Sequence, residues 1–335
     1  MIPVSIVTGF LGSGKTTLIR RLLRDPGFAR TAVIVNEWGE IGLDHDLIAT
    51  SDETLVALTT GCLCCRVRSD LVTTLLDLDR RRRSGEIPSY ARVLIETSGL
   101  ADPAPILQAL MTDDAVAEGH AIDTVLTLAD AQLGAATLER HAEARRQAAL
   151  ADRLLLSKTD IAGRPESLLS HLAALNPCAA ALEAVKGEIA PHELFAGSDP
   201  TARAARLASL PLSAANPFSP VRHAGNIDTI TVQRERPIPA LALAMWLQAL
   251  VEHCGARLLR LKGLVEVDEQ PGSPAIIHVV GHVVSSPEWL HGWPSTDRST
   301  RIVIIAEDVP RYFPGRLLDA IEEEVRETTT GGTVA

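Results

Sequence analysis

A chain of 335 residues is too long for one small core and implies roughly two domains. An apolar fraction of 46% with 22% charged residues describes a soluble globular protein, and a formal net charge of −10 argues against a nucleic-acid partner gripped by broad electrostatics. No apolar run approaches the ~20 residues that span a bilayer, so no membrane partner is expected.

Strand residues begin at once, without a charged segment leading into an apolar leader, so no secretory signal is expected. Five cysteines, three of them within four positions, do not resemble a secreted disulfide framework. A cytoplasmic location follows as the expectation.

In chain order, the apolar run Ile2 to Thr8 leads into Gly9-Phe10-Leu11-Gly12-Ser13-Gly14-Lys15-Thr16-Thr17, and then into a segment of helical spacing, Leu18 to Leu23. Strand, glycine-rich loop and helix are the context a phosphate-binding loop requires, and the G-x-x-x-x-G-K-[ST] pattern is complete. Glycines let successive N–H groups turn into a concave nest, and the helix start adds partial positive charge. Lys15 is expected on the β- and γ-phosphates and Thr16 on Mg²⁺. The chain is expected to bind a nucleoside triphosphate.

Thr31 to Val35 and Leu55 to Leu58 read as buried strands. The segment Ser69 to Arg83 sets Leu71, Leu75 and Leu78 at helical spacing and ends in Arg80-Arg81-Arg82-Arg83. These arginines suit a solvated helix end better than a phosphate site, because cations there complement the dipole. Further strands are expected at Arg92 to Ile95, Thr124 to Leu128 and Arg153 to Leu156, with helices near 103–112, 131–151 and 165–175. Strands alternating with helices predict an α/β domain on a mainly parallel sheet over residues 1–185.

Residues 186–225 are rich in proline and glycine and read as a linker. A smaller α+β domain is expected at 226–327. It opens on the strand Thr229 to Val232, followed by a helix carrying Leu241, Met245, Trp246, Leu247 and Leu250. Strands near 257–267, 275–284 and 301–306 and a closing helix from Leu317 to Val325 complete it. His278 and His282 fall in apparent strands, where a spacing of four creates no ligand face.

Three downstream motifs narrow the chemistry. Glu96-Thr97-Ser98-Gly99 ends an apolar strand, where a carboxylate can hold Mg²⁺ and a glycine N–H can sense the γ-phosphate. Ser157-Lys158-Thr159-Asp160 resembles the guanine-reading N-K-x-D element with serine in the first position. There Asp160 would accept from the guanine N1–H and N2–H₂, while the Lys158 stem packs over the base. GTP is therefore preferred to ATP. Finally, Cys62-Leu63-Cys64-Cys65-Arg66 is denser in thiols than core packing requires. Soft sulfur suits Zn²⁺ or Cu(I), with Co²⁺ tolerated, and at most three sulfurs leave a coordination position open for transfer. The competing readings are a redox-sensing nucleotide switch and a P-loop ATPase or small-molecule kinase whose cysteines are inert and structural.

In order and spacing, these motifs, together with Asn36-Glu37-Trp38-Gly39-Glu40-Ile41-Gly42-Leu43-Asp44 and Arg260-Leu261-Lys262-Gly263, resemble the CobW-type GTPases. Those are metallochaperones related to the GTPases that mature urease and hydrogenase. The resemblance implies that Gly9, Gly12, Ser13, Gly14, Lys15, Thr16 and Thr17 grip the phosphates. It implies that Asn36 to Asp44 form a first switch with Glu37 and Glu40 near the Mg²⁺ or the transferred metal, and that Glu96 and Gly99 form a second. Lys158 and Asp160 would make the base pocket, and Cys62, Cys64 and Cys65 would ligate Zn²⁺ or Co²⁺ bound for a client metalloprotein. The linker holds only His192 and His223, so no histidine-rich metal store is expected. Nor is the client-docking extension of the eukaryote-like members, because the first strand starts at residue 2. The oligomeric state stays open, a homodimer included.

Overall fold

The computed structural model describes residues 1–36, 55–58, 64–184, 189–195, 200–210 and 227–331. They gather into two compact units, 1–173 with 179–198 and 174–178 with 199–335.

The first unit is built on a seven-stranded sheet. Its strands are β1 (Ile2–Gly9), β2 (Thr31–Asn36), β3 (Leu55–Leu58), β4 (Arg92–Thr97), β5 (His120–Asp130), β6 (Arg153–Ser157) and β7 (Ala180–Glu183). Their order is β3-β2-β4-β1-β5-β6-β7, and every pairing is parallel. Parallel strands covered on both faces need apolar residues on both sides, which is why β1, β4 and β6 read as near-continuous apolar runs. The chain leaves β1 towards one edge and later returns to its other flank as β5. That reversal beside β1 is where open α/β sheets bind ligands, at the carboxyl ends of the strands.

Helices α1 (Lys15–Leu22) and α2 (Cys64–Ser84) follow β1 and β3. Leu18, Ile19 and Leu22 of α1 pack with Val7, Val33, Leu94 and Leu126 of the sheet. Leu71, Leu75 and Leu78 of α2 are buried, as their spacing predicts, each contributing about 1.5–3 kcal/mol of burial free energy. The arginines that end α2 are engaged locally: Arg80 pairs with Asp77 and Glu86, while Arg82 and Arg83 share Asp79.

After β4 come α3 (Ala104–Thr112) and α4 (Asp114–Gly119). The helix expected over 131–151 is two helices, α5 (Gly134–Arg140) and α6 (Ala142–Ala149), because His141 is extended (φ −119°, ψ 117°). Arg145 stabilises the break by donating to the Leu138 and Glu139 carbonyls freed at the end of α5. Helices α7 (Thr159–Ala162) and α8 (Glu166–Leu175) flank the end of β6 and precede β7.

Part of the stretch read as a linker is helical. Helix α9 (Pro191–Leu194) buries Leu194 in the first unit, and α10 (Pro200–Ser209) packs Ala204 and Leu207 on Leu264, Ile276 and Val303 of the second. Prolines 191 and 200 stand at the first helical positions, where a missing N–H costs nothing, so they start helices rather than break them.

The second unit is an antiparallel sheet ordered β11-β10-β9-β13-β8, with β12 pairing β10. Its strands are β8 (Ile227–Arg234), β9 (Leu258–Val265), β10 (Ala275–Val280), β11 (Val283–Val284), β12 (Glu288–Trp289) and β13 (Thr300–Glu307). Helices α11 (Ala240–Cys254) and α12 (Phe313–Gly331) cover one face around the fully buried Trp246, whose indole N–H donates to the Pro314 carbonyl at 2.9 Å. The strand expected over 275–284 is a hairpin turning at Gly281 (φ 58°), so His282 sits in the turn rather than a strand. Among the described residues, no helix is long and apolar enough to cross a membrane.

Candidate nucleotide site

The loop between β1 and α1 is curled by Gly9, Gly12 and Gly14, all at positive φ (143°, 72° and 96°). Gly14 caps α1, so Lys15, Thr16 and Thr17 form its first turn with their N–H groups unused by the helix. Lys15 is buried, and its ammonium donates to the carbonyls of Gly9 (2.8 Å) and Phe10 (3.3 Å), closing the loop on itself. Ser13 is also buried.

Across the loop stands the end of β4. Glu96 is 3% exposed, and its Oε1 accepts from the Thr16 hydroxyl at 2.6 Å. Next to it the buried Thr97 donates to Thr8 at 2.7 Å, pinning the ends of β4 and β1 together. Gly99 lies against the loop backbone: a Cβ there would stand 2.7 Å from Leu11 N and 2.8 Å from Leu11 Cα. Only glycine permits that approach, because the Leu11 backbone is in the way as well as its movable side chain. Together these segments line a pocket of about 610 Å³ that includes Gly12, Lys15, Thr16, Glu96 and Gly99.

Lys158 and Asp160 are not part of that lining. Lys158 takes a left-handed conformation (φ 60°) at the start of α7, and its ammonium binds Asp130 Oδ2 at 2.6 Å. Asp130 Oδ1 accepts from the N–H groups of Gln132 (2.8 Å) and Leu133 (3.2 Å). Burial pushes the Asp130 carboxyl up, but the Lys158 bond and the two amides outweigh it and hold the group below the usual range. Asp160 is exposed in the first turn of α7. Ser157, the departure from asparagine, donates to the Ser13 carbonyl at 2.7 Å and so ties the end of β6 to the phosphate loop.

Glu37, Glu40 and Cys62 lie outside the described residues. Cys64 and Cys65 are the first two residues of α2. Among the described residues no three His, Cys, Asp or Glu side chains gather as a metal site. Asp130 lies outside the sequence motifs, although an acid ending an apolar strand is the same signal that marks Glu96. Gln147 lies outside them too, a lone amide in an alanine-rich helix with no motif around it.

Comparison with known proteins gives this site its family. A model described as the CobW/HypB/UreG nucleotide-binding domain matches residues 3–183. The chain belongs to that family. The cobalamin synthesis protein cobW C-terminal domain matches residues 227–322, so the second unit is of the CobW type as well. The chain is 31% identical to the zinc chaperone YjiA of Escherichia coli K12 over 331 residues, 98% of either protein. It is 34% identical to the zinc-regulated GTPase metalloprotein activator 1 of Schizosaccharomyces pombe over 167 residues, 48% of this chain and 39% of that one. The crystal structure of the Zn(II)-bound YjiA GTPase from E. coli superposes with a TM-score of 0.74 at 27% identity, covering 96% of this chain and 98% of that one. A P-loop α/β domain followed by an antiparallel CobW-type domain is thus the fold of the whole family member.

Proposed function

We propose that this protein is a GTP-hydrolysing metallochaperone that carries Zn²⁺ or Co²⁺ on Cys62, Cys64 and Cys65 and hands it to a client metalloprotein in the cytoplasm. The observation that carries the reading is topological. In a parallel sheet the carboxyl ends of β1 to β4 share one edge, and the order β3-β2-β4-β1 sets the strand before the cysteines three places from the phosphate loop. That is roughly 14 Å at the usual strand spacing. The helix that Cys64 and Cys65 begin starts six residues after β3, and a helix N-terminus favours thiolates. Similarity to a zinc chaperone along the whole chain adds the metal.

The residues fit Mg²⁺. A threonine hydroxyl and a buried carboxylate converge 2.6 Å apart beside the phosphate loop, and oxygen donors suit a hard cation. When bound, the ion would neutralise charge on the β- and γ-oxygens. The chain's own groups do the rest. The loop amides and Lys15 would hold the phosphates and Thr16 and Glu96 would hold the cation; water adds to the γ-phosphorus as its bond to the β-phosphate oxygen breaks, the water's proton passing to the released phosphate. Loss of the γ-phosphate relaxes the loops it ordered, which makes hydrolysis a release step for metal held on the same edge.

The deciding experiment measures Zn²⁺ and Co²⁺ affinity by chelator competition with Mg²⁺-GTPγS and with Mg²⁺-GDP. Tight binding with the triphosphate analogue alone is expected; equal binding in both states removes the gating. In the triphosphate state, Cys64→Ala is expected to weaken metal binding by about tenfold or more, the scale of one lost ligand interaction. Unchanged affinity would exclude the thiolate site. For the base, Asp160→Ala is expected to weaken GTP by about tenfold or more while leaving ATP unchanged, because adenine lacks the donors that the carboxylate accepts. Parallel losses in nucleotide titrations would remove the guanine reading.

A further inference from the structure

Gln147 is 1% exposed on α6, among Ala144, Ala148 and Ala149. An amide buried in an alanine face must be hydrogen-bonded or it destabilises the fold. Both of its N–H bonds are used on one short loop, donating to the carbonyls of Gly99 (3.1 Å) and Ala101 (3.0 Å). Its own backbone carbonyl accepts from the buried Thr127 hydroxyl at 2.8 Å, which anchors this point of α6 to β5. One residue earlier, Arg146 pairs with Asp102 at 3.1 Å, gripping the far end of the same loop. The residue that precedes α6, His141, stacks on Phe10 of the phosphate loop with ring centroids 4.4 Å apart. One short element therefore holds both walls of the pocket.

We propose that Gln147 is a positioning residue for recognition of the γ-phosphate, an inference that rests on the GTP reading above. A trans peptide sets its C=O and N–H on opposite sides. By holding the Gly99 carbonyl towards α6, Gln147 turns the Leu100 N–H away from it, on a loop whose residues 98–100 line the pocket. Neither the Gly99 nor the Leu100 N–H is spent on another described residue. Both are left for an anion arriving beside Lys15. A diphosphate lacks the γ-phosphate that these N–H groups would bind, so the contribution of Gln147 separates GTP from GDP. A merely structural glutamine would affect both nucleotides alike.

The test is the affinity of the full chain for GTPγS and for GDP, each with Mg²⁺, in the unmutated protein, Gln147→Met and Asp102→Ala. Methionine keeps the length of glutamine and removes both donors. Gln147→Met is expected to weaken GTPγS by about tenfold, the scale of one misplaced phosphate hydrogen bond, with GDP within about twofold. Asp102→Ala, at a half-buried position, is expected to shift GTPγS in the same direction by about threefold. Equal losses for both nucleotides, or no loss, overturn the proposal. If Gln147→Met does not fold, Asp102→Ala decides alone, and an unselective effect there overturns it. An unmutated protein that binds neither nucleotide sinks the GTP reading itself, which the variants cannot imitate.

Discussion

Lys15→Ala is expected to lower single-turnover GTP hydrolysis by about a thousandfold or more, at the upper end of what loss of one transition-state stabilising group costs. The side chain is buried and its ammonium caps the Gly9 and Phe10 carbonyls at 2.8 and 3.3 Å. These bonds keep a desolvated charge satisfied until phosphate arrives, when the flexible stem can redirect it towards the β- and γ-oxygens. Alanine removes the positive charge where negative charge develops and also takes the ammonium donor from the Gly9 carbonyl, while the Phe10 carbonyl keeps the Ser13 N–H at 3.2 Å. Lys15→Arg separates the two effects. It keeps the charge, but a planar five-donor fork does not fit where one compact ammonium fits, so hydrolysis is expected to stay well below the unmutated rate. Normal turnover by Lys15→Ala would refute the assignment of the phosphate loop.

What the sequence reveals here depends on how local the physics is. The phosphate loop is legible because its glycines, lysine and threonine act within nine residues, and the flanking strand and helix announce themselves by periodicity. The strands of the first sheet are legible as apolar runs, except β7, whose alternating burial at Ala180–Glu183 shows little contrast between alanines and Leu182. The division of 131–151 at His141 was not legible, because nothing in the helix breaks it. At the break, His141 meets the ring of Phe10, a residue far away in the chain. Ser157 shows the same limit from the other side. As a sequence letter it reads as a lost asparagine. In the fold its hydroxyl still links β6 to the phosphate loop through the Ser13 carbonyl, 144 residues away. The pairing of Lys158 with Asp130 joins two loops that only the β5–β6 register brings together. Helices α9 and α10 were missed because proline density suggested an open chain, whereas position decides what a proline does.

The second large effect is expected at Glu96, and the isosteric change is the informative one. Donation of the Thr16 O–H to Glu96 leaves the Thr16 oxygen lone pairs free for a cation, so the 2.6 Å bond and a shared Mg²⁺ are compatible rather than competing. Glu96→Gln keeps an oxygen that can accept from Thr16 and preserves the packing at the end of β4, so the thermal midpoint is expected to move little. It removes the negative charge from a buried position beside the phosphate loop. The Mg²⁺ concentration needed for half-maximal hydrolysis is then expected to rise by about tenfold or more, and the rate at fixed Mg²⁺ to fall by about a hundredfold. Glu96→Ala would confound the result, because it also strips the Thr16 hydroxyl of its partner and opens a cavity at the strand end. A Mg²⁺ titration of hydrolysis that superposes for Glu96 and Glu96→Gln would reduce this carboxylate to a structural acceptor for Thr16. The cation would then be held by Thr16 and the nucleotide without it. A shifted titration with an unchanged thermal midpoint assigns Glu96 to the metal, because charge is the property that the substitution changes.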